Sequence, residues 1–254
     1  RDECSSRGLG DVYKRQDIND LKFILEHHVN WIALSFVRTA DEILRLKGMI
    51  DYKQHGARVI AKIEKPQALK NIDAIIHAAD AIMVARGDLG VEMPLEQIPT
   101  IQKELVRKCV SAAKPVIIAT QMMESMIQNA SPTRAEVTDI ATAIFNGADA
   151  LMLSGETAVG KHPIKVISTM KKVIQTIEQE DDIYNVGQVP NQKSNTFVSD
   201  VVCYTACRLA ENVGAKGIIG MTKSGYTAFL LSSFRPKANI FIFTESVELL
   251  KTVS

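Results

Sequence analysis

Three charged side chains stand where apolar runs end. In Val59-Ile60-Ala61-Lys62-Ile63-Glu64, Lys62 and Glu64 are two positions apart. On an extended strand they would project from one face, about 6 to 7 Å from each other. In Met83-Val84-Ala85-Arg86-Gly87-Asp88-Leu89-Gly90, Asp88 follows a second apolar run, on a turn with two glycines. Glycine lets backbone approach a ligand, and amides ahead of a helix can hold a carboxylate. Glu64 and Asp88 would offer two hard oxygen ligands, suited to Mg2+ (or Mn2+), which keeps water and substrate oxygens among its six positions. Lys62 would set positive charge beside the ion. Such a group stabilises both a phosphoryl group in transfer and the enolate left behind. Local readings also stand: an exposed edge pair for Lys62 and Glu64, and an ordinary Gly-Asp turn for Asp88.

Two more apolar runs end on hydroxyls. Val116-Ile117-Ile118-Ala119-Thr120-Gln121 reaches Thr120, and Leu151-Met152-Leu153-Ser154-Gly155-Glu156-Thr157 reaches Ser154. Either hydroxyl could orient a substrate or water, or cap the following helix. Glu156 reads as a helix-start carboxylate, with a further ligand as the alternative.

These residues need a scaffold that brings strand ends together. Strands are expected at residues 31–37, 58–63, 81–85, 115–120 and 150–153, beginning about 23 to 35 residues apart, the spacing of repeated βα units with a parallel sheet. That spacing suits a TIM barrel, whose active sites sit at the carboxyl ends of the strands. Helices are expected at 17–27, 40–54, 66–78, 95–113, 134–146 and 164–180. The sequence Thr133-Arg134-Ala135-Glu136 is a capping box, and Gly147 is placed to end that helix. Residues 185–195, rich in Asn, Gln, Gly and Pro, read as a linker. Helix 198–213, strand 216–221, helix 226–234, strand 240–243 and a helix-like run at 247–253 then begin a second small α/β domain.

The composition narrows the class. A 254-residue chain with 46% apolar content can bury a substantial core. Thirty basic and twenty-nine acidic side chains give a net charge of +1, so nothing favours nucleic acid or an anionic membrane. No apolar run approaches the roughly 18 residues that span a bilayer, and a soluble protein is expected. Cys4, Cys109, Cys203 and Cys207 show no C-x-x-C spacing, which predicts a reducing, cytoplasmic setting without a disulfide framework. His27, His28, His55, His77 and His162 lack metal-ligand spacing and are expected to be structural or exposed.

The motifs Lys62-Ile63-Glu64, Val84 to Gly90, Ala119-Thr120-Gln121-Met122, Pro132-Thr133-Arg134-Ala135-Glu136 and Leu153 to Ala158 together resemble the pyruvate kinase family in order and spacing. The resemblance extends from about Asp17 to Ser254. It implies transfer of phosphate from phosphoenolpyruvate to ADP in glycolysis. Lys62 would be the transition-state stabiliser, Glu64 and Asp88 the magnesium ligands, and Thr120 with the Gly87 and Asp88 amides the contacts to the pyruvate portion. Ser154 is similar to the serine associated with proton delivery to the enolate. A homotetramer, a K+ requirement and a sugar-phosphate effector are implied too. The loop Thr222-Lys223-Ser224-Gly225-Tyr226-Thr227 is similar to the effector loop of some members, with a helix-capping turn as the other reading.

Against the family pattern, the fold is expected to be about five of the eight βα units of a TIM (β/α)8 barrel, followed by a small, truncated α/β C-terminal domain. The expected division is a tail foreign to the family at 1–16, a partial catalytic barrel at 17–184, a linker at 185–197 and the C-terminal domain at 198–254. The phosphate-gripping arginine, the K+ ligands and much of the nucleotide clamp would lie outside this chain, so the chain alone is expected to be inactive. The alternatives are a magnesium-dependent phosphoenolpyruvate or pyruvate-class lyase or aldolase, and a non-catalytic remnant that binds anions or partner subunits.

Overall fold

The computed structural model describes residues 15–184 and 189–253. Residues 1–14 of the expected tail and 185–188 of the expected linker lie outside the described residues. A first helix, α1 (Arg15–Ile24), begins inside the stretch assigned to the tail.

Five strands follow, β1 (Trp31–Leu34), β2 (Arg58–Ile63), β3 (Ala81–Ala85), β4 (Val116–Ala119) and β5 (Ala150–Met152). They form one sheet in sequence order, and all four pairings are parallel. Each crossover carries helix: α2 (Ala40–Tyr52), α3 (Pro66–Lys70) with α4 (Ile72–Ala78), α5 (Arg86–Glu92) with α6 (Ile98–Ser111), and α7 (Arg134–Asn146). After β5 come the short α8 (Gly155–Ala158) and the long α9 (Pro163–Ile177). This is an α/β fold, and strands in sequence order with a helix between each pair are the βα units of a (β/α)8 barrel, five of them here.

Burial explains why the sheet is read so directly from the sequence. The central β3 is buried at every position, so its run is continuously apolar, whereas β2 alternates. Val59, Ala61 and Ile63 of β2 are fully buried. The helices contribute Ile43, Leu46 and Ile50 from α2, Ile72, Ile75 and Ile76 from α4, Leu105, Val106 and Cys109 from α6, and Ile140, Ala143 and Ile144 from α7. Each large aliphatic side chain so buried contributes about 1.5–3 kcal/mol. Burial also pushes the Cys109 thiol up to about 12, with the nearby Asp149 charge adding to the effect.

Two expected helices are reshaped. The helix expected at 66–78 breaks at Asn71, whose side chain donates to the Arg38 carbonyl at 3.0 Å. The helix expected at 95–113 opens with a 3-10 turn, Leu95–Gln97, before the α-helix proper starts at Ile98 with Pro99 in its first turn. In contrast α7 has the expected limits. Thr133 caps it, Glu136 returns a bond to the Thr133 amide at 2.7 Å, and Gly147 closes it at φ 103°, where a side chain would be strained.

The second unit comprises α10 (Phe197–Val213), β6 (Gly217–Met221), α11 (Tyr226–Ser233), β7 (Asn239–Phe243) and α12 (Val247–Val253). Its two strands pair in parallel, and Cys203, Cys207, Leu230, Leu231 and Phe234 form its core. It meets the sheet at the strands' amino ends. Arg235 donates to the Gly147 carbonyl at 2.5 Å and to Asp149 at 3.0 Å, and Arg58 at the start of β2 stacks 4.7 Å from the Phe229 ring.

Glu136 supplies a pH test. Although desolvation opposes ionisation, bonds from Ser125 and Thr133 outweigh it and hold the Glu136 carboxyl below its usual value. A depressed folded value stabilises the fold above the unfolded carboxylate range, and that gain fades as pH falls through the folded value. Glu136→Gln should therefore cost about 1 kcal/mol at pH 7. In urea unfolding the difference from the parent chain should shrink as pH falls below the unfolded carboxylate range and through the depressed folded value. A gap that does not change as pH falls would assign it to packing instead.

Candidate active site

The parallel register sets Lys62 opposite Met83, Ala85 opposite Ala119 and Ala119 opposite Met152. The residues that follow each strand, Glu64, Arg86 to Asp88, Thr120 and Ser154, therefore emerge along one rim, the carboxyl edge of the sheet.

Lys62 and Glu64 meet there directly, with Nζ 2.6 Å from Oε1. Glu64 is 2% exposed, which rules out an exposed edge pair. Its other oxygen accepts the Phe36 amide at 2.5 Å, and Lys62 also donates to Ser35 Oγ at 3.1 Å. The loop after β1 thus closes over the pair. Phe36 is held at φ 56°, a region that costs a non-glycine residue about 1–3 kcal/mol. A serine following an apolar strand was the available sequence signal for Ser35, while the Phe36 amide carries none.

Asp88 lies in the first turn of α5, a helix where the sequence suggested only a turn. Its side chain is exposed, and no hydrogen bond joins it to another described residue. The Gly87 amide is not free for a ligand in this state: it donates to Thr120 Oγ1 at 2.8 Å. The Thr120 hydroxyl in turn donates to the Ala119 carbonyl at 2.6 Å. A Cβ on residue 87 would sit 3.2 Å from Thr120 Oγ1, so glycine permits this close approach.

Thr120 and Gln121 both have positive φ, 69° and 55°. Arg86 braces them, donating from Nη2 to the carbonyls of Thr120 at 2.9 Å and Gln121 at 3.2 Å, and from Nη1 to Asp139 on α7 at 2.6 Å. Ser154 is exposed, and its amide donates to Glu156 at 2.8 Å. Glu156 is 2% exposed and lies 3.4 Å from the Met123 amide, so it ties the loop after β4 to the loop after β5. It is a structural bracket rather than only a helix-start carboxylate.

The donor chemistry fits a divalent cation in part. Among the described residues no group of three or more His, Cys, Asp or Glu side chains could hold one. A magnesium ion needs only one or two carboxylates when substrate and water complete its shell, and Glu64 with Asp88 would be that pair. In the present arrangement Lys62 is bonded to Glu64 Oε1, so an ion would share or displace that contact.

The rim thus sets Lys62 against the buried Glu64 and carries Asp88 just past the neighbouring strand, at the carboxyl ends of the strands of a partial βα barrel. The model of the pyruvate kinase barrel domain matches residues 11–167, and that of the pyruvate kinase alpha/beta domain matches 200–254. The chain belongs to the pyruvate kinase family. It is 44% identical over 233 residues to pyruvate kinase 2 of Synechocystis sp., covering 92% of this chain and 39% of that protein. Pyruvate kinase of Mycobacterium tuberculosis is 43% identical over 230 residues, covering 90% and 48%. The crystal structure of a pyruvate kinase from Cryptosporidium parvum superposes with a TM-score of 0.86 at 36% identity, covering 94% of this chain and 50% of that one. The chain thus spans less than half the length of these two curated relatives. Among the described residues, no helix is long and apolar enough to cross a membrane.

The bond between Lys62 and the buried Glu64 should also be visible in stability. Lys62→Met leaves the Glu64 carboxylate with the Phe36 amide and no cation, and should lower the unfolding free energy of the metal-free chain by about 1–3 kcal/mol. An unchanged urea midpoint would show that solvent already screens the pair.

Proposed function

We propose that this rim carries out part of the pyruvate kinase reaction, phosphoryl transfer between phosphoenolpyruvate and ADP. The observation that carries the reading is the bond between Lys62 and the buried Glu64 at the carboxyl rim, on the strand next to the one that leads into the Gly87–Thr120 contact. In the transfer, the bond between the enol oxygen and phosphorus breaks, and a bond from a terminal ADP phosphate oxygen forms. The enolate left behind takes a proton at its methylene carbon to give pyruvate. Lys62 provides fixed positive charge for the oxygens that gain negative charge in that step. Thr120 and the Asp88 amide, with the Gly87 amide once it leaves Thr120 Oγ1, hold the pyruvate portion. To donate to a carboxylate, the Thr120 hydroxyl turns its hydrogen away from Ala119. Ser154 lies on the rim as the group associated with the proton.

Glu64 and Asp88 are the residues that would hold Mg2+ or Mn2+, which supplies Lewis-acid neutralisation of the phosphate and enolate oxygens. The same reading places this chemistry in the cytoplasm, in a barrel of residues 17–184 and a C-terminal domain of 198–254 joined through 185–197. It also includes ATP as product, a homotetramer, K+ and a sugar-phosphate effector as attributes of a protein of the relatives' full length. In the Thr222–Thr227 loop, Gly225 has φ 86° and its amide donates to Thr222 Oγ1 at 3.0 Å, which makes the turn a cap for α11.

In an enzyme of that full length carrying these residues, Lys62→Met should raise the barrier by ~3–4 kcal/mol, a loss of several hundred-fold in turnover. Near-parent turnover removes Lys62 from the chemistry. Glu64→Ala and Asp88→Ala should each weaken Mg2+ binding in calorimetric titration, and an unaltered isotherm rejects the pair as ligands. Carbon–carbon cleavage without dependence on ADP would instead establish the lyase or aldolase reading.

A further inference from the structure

Thr120 and Gln121 are consecutive residues in the left-handed region, and neither has glycine's freedom. That backbone presents the carbonyls of both to a single guanidinium. Arg86 Nη2 bonds Thr120 O and Gln121 O and lies 2.9 Å from Met122 Sδ, while Nη1 bonds Asp139 and lies 3.4 Å from Gln102 Oε1. The Arg86 side chain is only 10% exposed, and Gln102, its neighbour on α6, is 4% exposed. The guanidinium makes these contacts at a cost, because its Nε–H is buried with no partner. An unpaired buried donor costs stability, which the other contacts of the group must offset. Every other donor of the group is spent on the loop that carries Thr120 or on the anchors that hold Arg86 in place.

We propose that Arg86 is a positioning residue for Thr120. It clamps Thr120 and Gln121 in their left-handed conformation, so that the Thr120 hydroxyl meets the Gly87 amide and is held ready on the rim. The coupling runs through a closed loop of bonds. Arg86 grips the backbone of Thr120, and Gly87, the next residue in the chain, bonds the side chain of the same threonine at 2.8 Å. Arginine suits the task because its planar fork can serve two carbonyls and a carboxylate together, which an ammonium cannot do in the same geometry. The functional consequence rests on the role given to Thr120 above, whereas the coupling itself does not.

Amide hydrogen exchange on the 254-residue chain separates the two. Thr120→Val removes the acceptor of the Gly87 amide and should speed exchange there at least tenfold, with the amides of α6 unchanged. Arg86→Lys should have the same local effect, and the double variant no more than either single one. Gln121→Gly, which adopts a positive φ without strain, should recover part of the Gly87 protection in the Arg86→Lys background. An unchanged Gly87 amide in Arg86→Lys, or faster exchange spread equally over α6 and β3, would overturn the proposal in favour of general stabilisation. If Arg86→Lys does not fold, Arg86→Gln keeps an amide donor without a charge to bury and takes the same measurement. In parallel, titration with Mg2+ and oxalate, a planar dicarboxylate shaped like the enolate, should show at least tenfold weaker binding by Arg86→Lys. Failure of the parent chain to bind that probe would sink the functional reading, while the exchange pattern would still decide the Arg86–Thr120 coupling.

Discussion

In a parallel sheet every strand runs the same way, so the pairing of β2 with β3, β3 with β4 and β4 with β5 delivers their chain exits to one edge. Side chains far apart in sequence, such as Lys62 and Ser154, reach that edge because the backbone register leaves the strand ends nowhere else to be. The crossover helices that enforce the parallel order also supply the core, through Ile43, Ile75, Leu105 and Ile140. Moving the register of β2 by one residue would turn Val59, Ala61 and Ile63 to the wrong face. The packing that stabilises the sheet thus also aligns the rim.

Polar burial is concentrated where that alignment is used, and half of the non-glycine residues with positive φ among those described lie there too. The buried polar or charged residues among those described are Glu64, Gln102 and Glu156. Glu64 fixes Lys62 and the loop after β1, Gln102 borders Arg86, and Glu156 links the loops after β4 and β5. Phe36, Thr120 and Gln121, three of the non-glycine residues with positive φ, lie in these loops. Such strain persists only where surrounding bonds over-determine the conformation, as it does at functional sites. The barrel's apolar body contributes the stability from which these local costs are met.

The C-terminal unit engages the other end of the strands. Arg235 bonds Gly147 and Asp149 just before β5, and Arg58 stacks on Phe229 at the start of β2. Asp149 also accepts the Val116 amide at 2.8 Å, so it joins β4, β5 and the second unit at one point. Asp80 does the equivalent for Val59 and Lys47 one pair of strands earlier. The recurrence of an aspartate immediately before a strand reflects the repeated βα unit, but only the second copy is shared with the C-terminal unit.

The elements were legible in the sequence because their signals are local. β3 is continuously apolar since both its faces are buried, and α7 has its limits written in Thr133, Glu136 and Gly147. The motif residues Lys62, Glu64, Asp88, Thr120 and Ser154 could be singled out because each follows an apolar run. Their partners could not. That the Gly87 amide is spent on Thr120, that the Phe36 amide reaches Glu64, and that Arg86 grips two carbonyls more than thirty residues away depend on loop geometry, which carries no periodicity. Short-range propensity also missed α5, whose seven residues include two glycines. The sequence by itself determined which residues end the strands and which faces are apolar. Only tertiary structure decided which amides and side chains those ends would meet, because a hydrogen bond between separate loops exists only after the sheet has brought them within reach.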